Sequence, residues 1–266
     1  MKNPEYLDLF YSNYDEDARL TSMHGQVEYL TTMHYIDKYL RDGMQILEIG
    51  AGTGRYSHTL ARRGFAVTAV ELVQSNIDAF LQNTSAEEKI TIRQGNALDL
   101  SLFADETFDI VLLLGPIYHL YTVSDKCRAL SEALRVLKSG GLLYTAYCIA
   151  DASIICYAFQ GGHVFDLIDK NLLDEKTFIT HSTPEEIFDL CRKEDIDAWM
   201  ANFSVERLHY VATDLYTSYM RAQVDAMDKN TFALYLQYHL SICERRDMVG
   251  ITHHSLDIVR KGKTDG

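Results

Sequence analysis

The stretch ILEIGAGTGRYSHTLARRG, residues 46–64, joins a short apolar run to an amphipathic segment through a glycine-rich loop. Gly50, Gly52 and Gly54 occupy every second position, whereas the dinucleotide-binding fingerprint spaces its glycines as G-x-G-x-x-G. Glycine lets a loop turn tightly and bring its backbone close to a ligand, and the N-terminus of a following helix offers free N–H groups to an anion. The stretch predicts a strand, a nucleotide-binding loop and a helix.

Strand and helix patterns alternate from about residue 44 to residue 148. β-Branched or continuously apolar runs predict five strands, and the segments between them carry apolar residues at helical spacing. This alternation predicts an α/β fold with a parallel sheet, helices on both faces and a ligand site at the carboxyl ends of the strands. The five predicted strands are MQILEIG, FAVTAVEL, KITIRQG, TFDIVLLLG and GLLYTAYC.

The second half of the chain is less regular. Residues 149–182 are predicted to form an insertion over the strand ends, and residues 214–248 a helical segment there. The run TPEEIFDLCRKED, residues 183–195, begins with a capping box and a proline in the first turn, which predicts a helix. The triplet SGG, residues 139–141, is expected to end the helix before the fifth strand. FSVERLHYVAT and HSLDIVRK predict a sixth and a seventh strand.

Composition limits the possible functions. The chain has 266 residues and a formal net charge of −13, so an acidic surface would repel phosphate backbones and disfavours nucleic-acid binding. A single domain built on a central sheet fits this length. Five cysteines without a C-x-x-C pair favour reduced thiols in a cytoplasmic protein over a disulfide framework or a zinc knuckle. We expect neither a signal peptide nor a membrane-spanning segment.

Two further segments carry polar residues at predicted strand ends. Glu71 ends the second strand about 20 residues after the glycines, where a carboxylate can accept hydrogen bonds from both hydroxyls of a ribose. Asn96 follows the third strand and can bond the edge of an adenine, with Ala97 and Leu98 flanking the ring. The competing interpretations are a solvated surface glutamate at position 71 and a plain surface turn at Asn96.

Five blocks, in this order, resemble the class I S-adenosylmethionine-dependent methyltransferases over roughly residues 44–148: ILEIGAGTGRYS, AVEL, GNALDL, LLLGPIYHL and ALRVLKSGGLLYTAY. The resemblance implies a Rossmann-like, seven-stranded sheet that is mostly parallel with an antiparallel last strand. It also implies S-adenosylmethionine as the cofactor. The family often has aspartate where this chain has Asn96, and an amide can still accept a bond from the adenine amine.

The resemblance also assigns roles to individual positions. It places the methionine end of the cofactor on the glycine loop and beside the end of the fourth strand, the ribose on Glu71, and the adenine on the block after the third strand. The implied cofactor-binding residues are Glu48, Gly50, Ala51, Gly52, Glu71, Leu72, Asn96, Ala97, Leu98, Leu114 and Gly115.

The run LLLGPIYHL bears on the reaction. Methyltransferases of this fold that modify nucleobase amines resemble [DNS]-P-P-[YF] here, but this chain begins the block at Leu114 without a polar residue to hold a planar amine. The pattern is more similar to small-molecule methyltransferases. His119 can take a proton from a hydroxyl, thiol or amine acceptor, and Tyr118 can line the pocket. Alternatively, His119 only bonds the backbone in its loop and Tyr118 only packs.

Three other positions are candidates for contacts to the ligands. Tyr14 and Arg19, before the first long helix, can touch the cofactor if the N-terminal segment folds over it, and Tyr11 can touch the substrate. His239 lies on an apolar helix face, where a core role competes with a substrate contact. His253 and His254 are adjacent, which is poor spacing for a metal site, so no metal is predicted.

These observations predict one methyltransferase domain over residues 1–266, with cap helices in residues 1–42. The predicted reaction moves a methyl group from S-adenosylmethionine to an oxygen, nitrogen or sulfur atom of a small molecule. The alternatives are an RNA or protein methyltransferase, and a protein that binds S-adenosylmethionine without catalysis. The identity of the acceptor and the oligomeric state stay open at this point.

Overall fold

A seven-stranded sheet forms the centre of the computed structural model, which describes residues 3–13 and 21–262. The strands are β1 (Gln45–Ile49), β2 (Ala66–Glu71), β3 (Ile90–Gln94), β4 (Phe108–Leu113), β5 (Leu137–Cys148), β6 (Val205–Ala212) and β7 (His254–Lys261). Their order in the sheet is β3-β2-β1-β4-β5-β7-β6. The first five strands run parallel, and β7 is antiparallel to both of its neighbours. The predicted Rossmann-like α/β fold with an antiparallel last strand is confirmed.

Helices surround the sheet and connect its strands. The α-helices are α1 (Asn3–Tyr11), α2 (Met23–Tyr39), α3 (Arg55–Arg62), α4 (Gln74–Asn83), α5 (Val123–Val136), α6 (Ala150–Ser153), α7 (Val164–Asp169), α8 (Lys193–Met200), α9 (Arg221–Asp225) and α10 (Lys229–Ile242). Short 3-10 turns cover Pro116–His119, Pro184–Glu186, Leu215–Tyr219 and Val249–Ile251, and a π-helix covers Ile154–Gln160. None of the helices in the described part of the chain is long and apolar enough to cross a membrane.

The core has two halves, one on each face of the sheet. Successive residues of a strand point to opposite faces, so Ile46 and Leu47 of β1 enter different apolar clusters. The cluster on one face includes Leu130 and Leu134 of α5, and the cluster on the other includes Ile36 of α2. Because both faces are covered, the central strands read as continuous apolar runs in the sequence.

The prediction of a helix over residues 183–195 is wrong. The residues after Glu186 leave the helical conformation at Ile187, whose φ is +66°, and the helix in this region begins only at Lys193. The side chain of Thr183 makes no capping hydrogen bond. The segment is held by tertiary contacts, because the Asp189 amide donates to the carbonyl of Tyr118 at 2.7 Å and the Ile187 side chain is buried. These contacts override a local helix signal.

Two other predicted boundaries also differ. The helix expected to end at residues 139–141 ends at Val136, and β5 begins directly at Leu137, so the SGG triplet lies within the bounds of the strand. Residues 214–248 do not form one continuous helix, because one 3-10 turn and two α-helices share that stretch. On the predicted apolar face of α10, His239 and Ile242 are buried, and Phe232, Tyr235 and Leu236 are half-buried.

A buried carboxylate ties β6 to β7 and gives a test of the fold. The Arg207 guanidinium donates to both oxygens of Asp257 at 2.8 Å, and the Asp257 side chain is only 1% exposed. We expect Arg207→Met to lower the free energy of unfolding by about 3 kcal/mol, because it leaves this carboxylate buried without its cation. The measurement is urea unfolding at neutral pH.

The matched control is Arg260→Met, one position from β7's end. Arg260 bonds the exposed Glu206 at 2.8 Å, and such a surface pair contributes less than about 1 kcal/mol. Equal losses for the two variants would contradict the role assigned to Asp257.

Candidate functional site

A cavity of about 470 Å³ lies across the carboxyl ends of the strands. Its volume falls in the range of small-molecule and cofactor sites. Fourteen of the positions singled out in the sequence line it together, although they come from separate parts of the chain. They are Tyr11, Glu48, Gly50, Ala51, Gly52, Glu71, Leu72, Asn96, Ala97, Leu98, Leu114, Gly115, Tyr118 and His119.

The loop between β1 and α3 is glycine-rich for steric reasons. Gly50 has φ +73°, and a Cβ there would lie 2.7 Å from Cδ of Pro116. Gly54 has φ +91°, and a Cβ there would lie 2.5 Å from the ring of Phe80. Both positions therefore exclude a side chain on two counts, conformation and space. The amides of Gly50 and Ala51 bond the Val70 carbonyl at 2.8 and 3.2 Å, which fixes the loop against β2.

Glu71 ends β2 and joins it to this loop. Its carboxylate accepts a hydrogen bond from the Gly52 amide and one from the Val73 amide, both at 2.9 Å. The residue is 5% exposed, so the interpretation as a solvated surface glutamate is wrong. The Asn76 side-chain amide also donates to the Glu71 carboxylate at 3.4 Å. A carboxylate has about four acceptor positions, so Glu71, which lines the cavity, has acceptor capacity beyond these three contacts.

Glu48 lies at the end of β1 and is fully enclosed. The Ser57 hydroxyl of α3 donates to its carboxylate. Burial raises the pKa of Glu48 to about 8, opposed by the Ser57 bond and assisted by the charge of Glu71. At neutral pH the group is therefore mostly protonated, and a neutral carboxyl can donate as well as accept a hydrogen bond at the cavity wall.

The loop after β3 forms a turn, and the same loop also lines the cavity. The side-chain oxygen of Asn96 accepts from the Leu98 amide at 2.9 Å, which forms a local Asx turn. The same three residues, Asn96 to Leu98, line the cavity. A turn is present, and it also forms part of the cavity wall.

His119 has a defined orientation in the cavity wall. Its Nδ1 lies 2.9 Å from the Ile187 carbonyl, which can only accept, so Nδ1 carries the hydrogen. In the neutral ring Nε2 is then an acceptor, and the Tyr11 hydroxyl donates to it at 2.9 Å. Burial lowers the pKa of His119 to about 4 although the Ile187 carbonyl opposes the shift. The ring thus donates to the backbone through Nδ1 and accepts a hydrogen bond from Tyr11 through Nε2.

The neighbouring tyrosines support this wall. The Tyr118 hydroxyl donates to the Leu114 carbonyl at 2.9 Å, and its ring packs against that of Phe188 with centroids 5.9 Å apart. The Tyr121 hydroxyl donates to the Ile187 carbonyl at 2.6 Å, beside the His119 bond. Tyr121 was not anticipated from the sequence, and neither was the role of Ile187, because the contact joins positions 66 residues apart.

Helix α1 and the segment that begins at Pro184 cover this side of the cavity. Leu7, Val73 and Ile187 form a small apolar cluster, and the Tyr6 hydroxyl donates to Glu185 at 2.7 Å. Tyr11 therefore reaches the cavity from α1, and its contact with a substrate stays a prediction. Tyr14 and Arg19 fall in residues 14–20, outside the described part of the chain.

The structure does not bring His239 to the cavity. This residue is 2% exposed in α10 and is not among the lining residues of the cavity. Burial lowers its pKa to about 4. The core interpretation of His239 therefore accounts for its position, and the predicted substrate contact is not supported.

The far end of the cavity contains residues that sequence reasoning missed. Their elements are α2, the end of β6 and the start of β7, and the one available signal was the polar pair HH directly before the last strand. These lining residues are Glu28, Thr32, Thr213, His254 and Ser255.

Comparison with known families and proteins supports the same fold. Residues 47–145 match the family described as a methyltransferase domain. A ubiquinone biosynthesis O-methyltransferase of Cereibacter sphaeroides is 31% identical over 157 residues, which cover 58% of this chain and 61% of the relative. A demethylmenaquinone methyltransferase of Thermobifida fusca is 35% identical over 140 residues, which cover 51% of this chain and 56% of the relative. The chain thus spans about three fifths of the length of the curated relatives it matches.

Solved structures show the fold over most of the chain. An S-adenosylmethionine-dependent methyltransferase from Methanosarcina mazei has a TM-score of 0.59 and 20% identity, with 86% of this chain and 98% of that one covered. Phosphoethanolamine N-methyltransferase 1 of Haemonchus contortus, in complex with S-adenosylhomocysteine, has a TM-score of 0.62 and 14% identity, with 99% and 50% covered. Together with the family match, these findings confirm the resemblance to class I S-adenosylmethionine-dependent methyltransferases.

The buried, neutral state of His119 predicts a pH dependence of stability. A histidine in the unfolded chain has a pKa of about 6.5, whereas His119 in the folded protein has a pKa of about 4. The unfolded state therefore binds the proton first, and the stability due to this group is lost as pH falls from 6.5 towards 4. Between pH 7 and pH 5 the free energy of unfolding of the wild type should therefore fall. We expect this fall to be about 2 kcal/mol smaller in His119→Gln.

Chemical unfolding at the two pH values measures this difference. The control is His34→Gln, because His34 is exposed on α2, and it should keep the wild-type pH dependence. If His119→Gln and the wild type lost the same stability, His119 would not be held neutral by the fold.

Proposed function

We propose that this protein transfers a methyl group from S-adenosylmethionine to an oxygen, nitrogen or sulfur atom of a small molecule. The observation that carries the proposal is the buried Glu71 carboxylate, which joins the β1 loop to the end of β2 at the cavity. A glycine loop, an acid at the next strand end and the turn at Asn96 stand side by side there. This is the arrangement that a nucleoside-containing cofactor requires.

The residues present fit S-adenosylmethionine. Its bound sulfonium supplies an electrophilic methyl group, so the protein has to bind, align and keep water out. The loop at Gly50 allows a close approach of the backbone, and Glu71 offers acceptor positions for ribose hydroxyls. The apolar parts of Ala97 and Leu98 offer a surface for the adenine, and Asn96 offers polar atoms at its edge.

Tyr11 and His119 form the candidate route for a proton. When the acceptor atom carries a hydrogen, methyl transfer has to release it, and a neutral imidazole nitrogen can accept it. The Nε2 atom of His119 is such an acceptor, and the Tyr11 hydroxyl, also from a cavity-lining residue, lies 2.9 Å from it and can relay the proton. The pKa of His119, about 4, keeps the ring neutral at neutral pH, and it also makes Nε2 a weak base there.

Two observations favour a small acceptor over RNA or protein. The formal net charge is −13, which opposes binding of a polyanion. The helix α1 and the segment around Ile187 also cover one side of the cavity, which restricts access for a large substrate. The named roles of the curated relatives in quinone biosynthesis agree with a small-molecule acceptor.

Binding of the product S-adenosylhomocysteine tests the cofactor site. We expect Glu71→Gln to weaken binding roughly 10- to 100-fold, because hydrogen bonds to a charged acceptor contribute about 1.5–3 kcal/mol. Isothermal titration calorimetry measures the affinity. Glu87→Gln is the control, since Glu87 is exposed and does not line the cavity. Unchanged affinity in Glu71→Gln would refute the site assignment.

Transfer of a labelled methyl group tests the acceptor class. Whole-cell extract is incubated with S-adenosylmethionine labelled in its methyl group and then separated into RNA, protein and small-molecule fractions, with unreacted cofactor removed. We expect new label in the small-molecule fraction with the wild type and much less with Glu71→Gln at a cofactor concentration that only just saturates the wild type. Label in RNA or protein would favour those substrates. Binding of S-adenosylhomocysteine without any transfer would favour a non-catalytic binding protein.

A further inference from the structure

The backbone makes a tight reversal at Ile187, in the segment that covers one side of the cavity. The Phe188 amide donates to the Glu186 carbonyl at 2.7 Å, which is the bond of a three-residue γ-turn centred on Ile187. Ile187 has φ +66° and ψ −46°, near the classic γ-turn, which is the rare and strained form. Among the described non-glycine residues with positive φ, Ile187 is the only β-branched one, which makes its conformation a genuine outlier. Such a conformation persists only where the surrounding structure holds it.

The turn is anchored on both sides. The Ile187 side chain is 7% exposed and forms an apolar cluster with Leu7 of α1 and Val73, which follows β2. Two residues further on, the Asp189 carboxylate accepts from the ammonium group of Lys126 in α5 at 2.6 Å, and the Lys126 side chain is only 4% exposed. These tertiary contacts hold a conformation that the residue's own preference opposes.

The turn directs the Ile187 carbonyl towards His119. This oxygen accepts from Nδ1 of His119 at 2.9 Å and from the Tyr121 hydroxyl at 2.6 Å. A carbonyl oxygen has two lone pairs, so these two donors use both of its acceptor positions. The ring of the next residue, Phe188, packs against the same imidazole with centroids 5.4 Å apart. The turn therefore contacts His119 through a hydrogen bond and through an aromatic ring.

The position of the hydrogen on His119 depends on this carbonyl. A neutral histidine in water carries its hydrogen mainly on Nε2, and in a protein the partner of one ring nitrogen decides which tautomer forms. Because Ile187 holds the hydrogen on Nδ1, Nε2 remains an acceptor, and the Tyr11 hydroxyl donates to it at 2.9 Å. The opposite tautomer would have a hydrogen on Nε2 and no lone pair there to take a proton.

We propose that Ile187 is a positioning residue for methyl transfer: its γ-turn holds the carbonyl that keeps the acceptor nitrogen of His119 facing Tyr11. This inference rests on the proposed function, because it assigns a role in the same reaction. Ile187 is not among the residues that line the cavity, so it acts through His119.

The competing explanation is that the turn serves packing alone. In that case the Ile187 side chain sets the conformation by filling the cluster with Leu7 and Val73, and the bond to His119 is incidental. The two explanations differ in what happens to His119 when the side chain is removed and the backbone conformation is kept.

A matched pair of variants separates them. Ile187→Gly and Ile187→Pro both remove the apolar side chain, but glycine adopts positive φ freely, whereas proline fixes φ near about −65° and excludes the turn. The amide that proline removes makes only a 3.4 Å bond to the Pro184 carbonyl. Two-bond nitrogen–proton correlation spectra at neutral pH show which ring nitrogen carries the hydrogen, and His119→Gln identifies the His119 signals. We expect the Nδ1–H form in the wild type and in Ile187→Gly, and the Nε2–H form in Ile187→Pro.

Binding and transfer are measured on the same two variants. Both should bind S-adenosylhomocysteine with equal affinity, since both lose the same side chain beside Val73, and this equality shows that the cofactor site is folded. Labelled methyl transfer into the small-molecule fraction of cell extract should be at least tenfold slower in Ile187→Pro than in Ile187→Gly, because a positioned general base contributes about 10²- to 10⁴-fold.

Three results would overturn the positioning role. They are the Nε2–H form in the wild type, loss of the Nδ1–H form in Ile187→Gly, and equal transfer rates in the two variants. The second result decides the matter even if Ile187→Pro does not fold, because only the packing explanation predicts it. The proposed function fails separately, if the wild type binds no S-adenosylhomocysteine or transfers no methyl group, whichever tautomer the spectra show.

Discussion

The carboxylate of Glu71 is the interaction on which the cofactor half of the cavity depends. It accepts the amides of Gly52 and Val73, so one side chain fixes both the glycine loop after β1 and the turn after β2. A carboxylate buried at this edge would be costly without such donors. The two amides offset that cost and leave acceptor positions for a ligand. The loop, with its positive φ angles at Gly50 and Gly54, is therefore anchored on its far side.

The antiparallel strand β7 builds the other half. Because β7 runs against β5, its first residues, not its last, lie at the carboxyl edge of the parallel strands. His254 pairs with Cys148 and Ser255 with Tyr147 in this register. A parallel strand in the same place would put its amino end on the opposite edge, far from the cavity. The reversal of one strand thus delivers His254 to Glu28 and Asp214.

The cofactor side of the cavity could be predicted from the sequence because its residues lie at set distances from the glycine loop. The other side could not, because its contacts join residues that are far apart in the chain. Glu71 and Asn96 follow recognisable strands at set distances from the glycine loop, so local patterns place them. The contacts of Glu28 with His254 and of His119 with Ile187 join residues far apart in the chain, and no spacing rule encodes them. The wrong prediction of a helix over residues 183–195 has the same cause, because the segment is held by a long-range hydrogen bond from Asp189 to Tyr118.

Two histidines line the cavity in different protonation states: His119 is neutral and His254 is protonated. They are therefore suited to different roles. His119 faces a carbonyl and a hydroxyl, so burial dominates and lowers its pKa to about 4. His254 faces carboxylates, which outweigh burial and raise its pKa well above the usual value. Only the neutral ring has a lone pair with which to take a proton from an acceptor. His254 therefore holds its hydrogen bond to Asp214 at the start of β7, whereas His119 keeps an acceptor nitrogen that faces Tyr11.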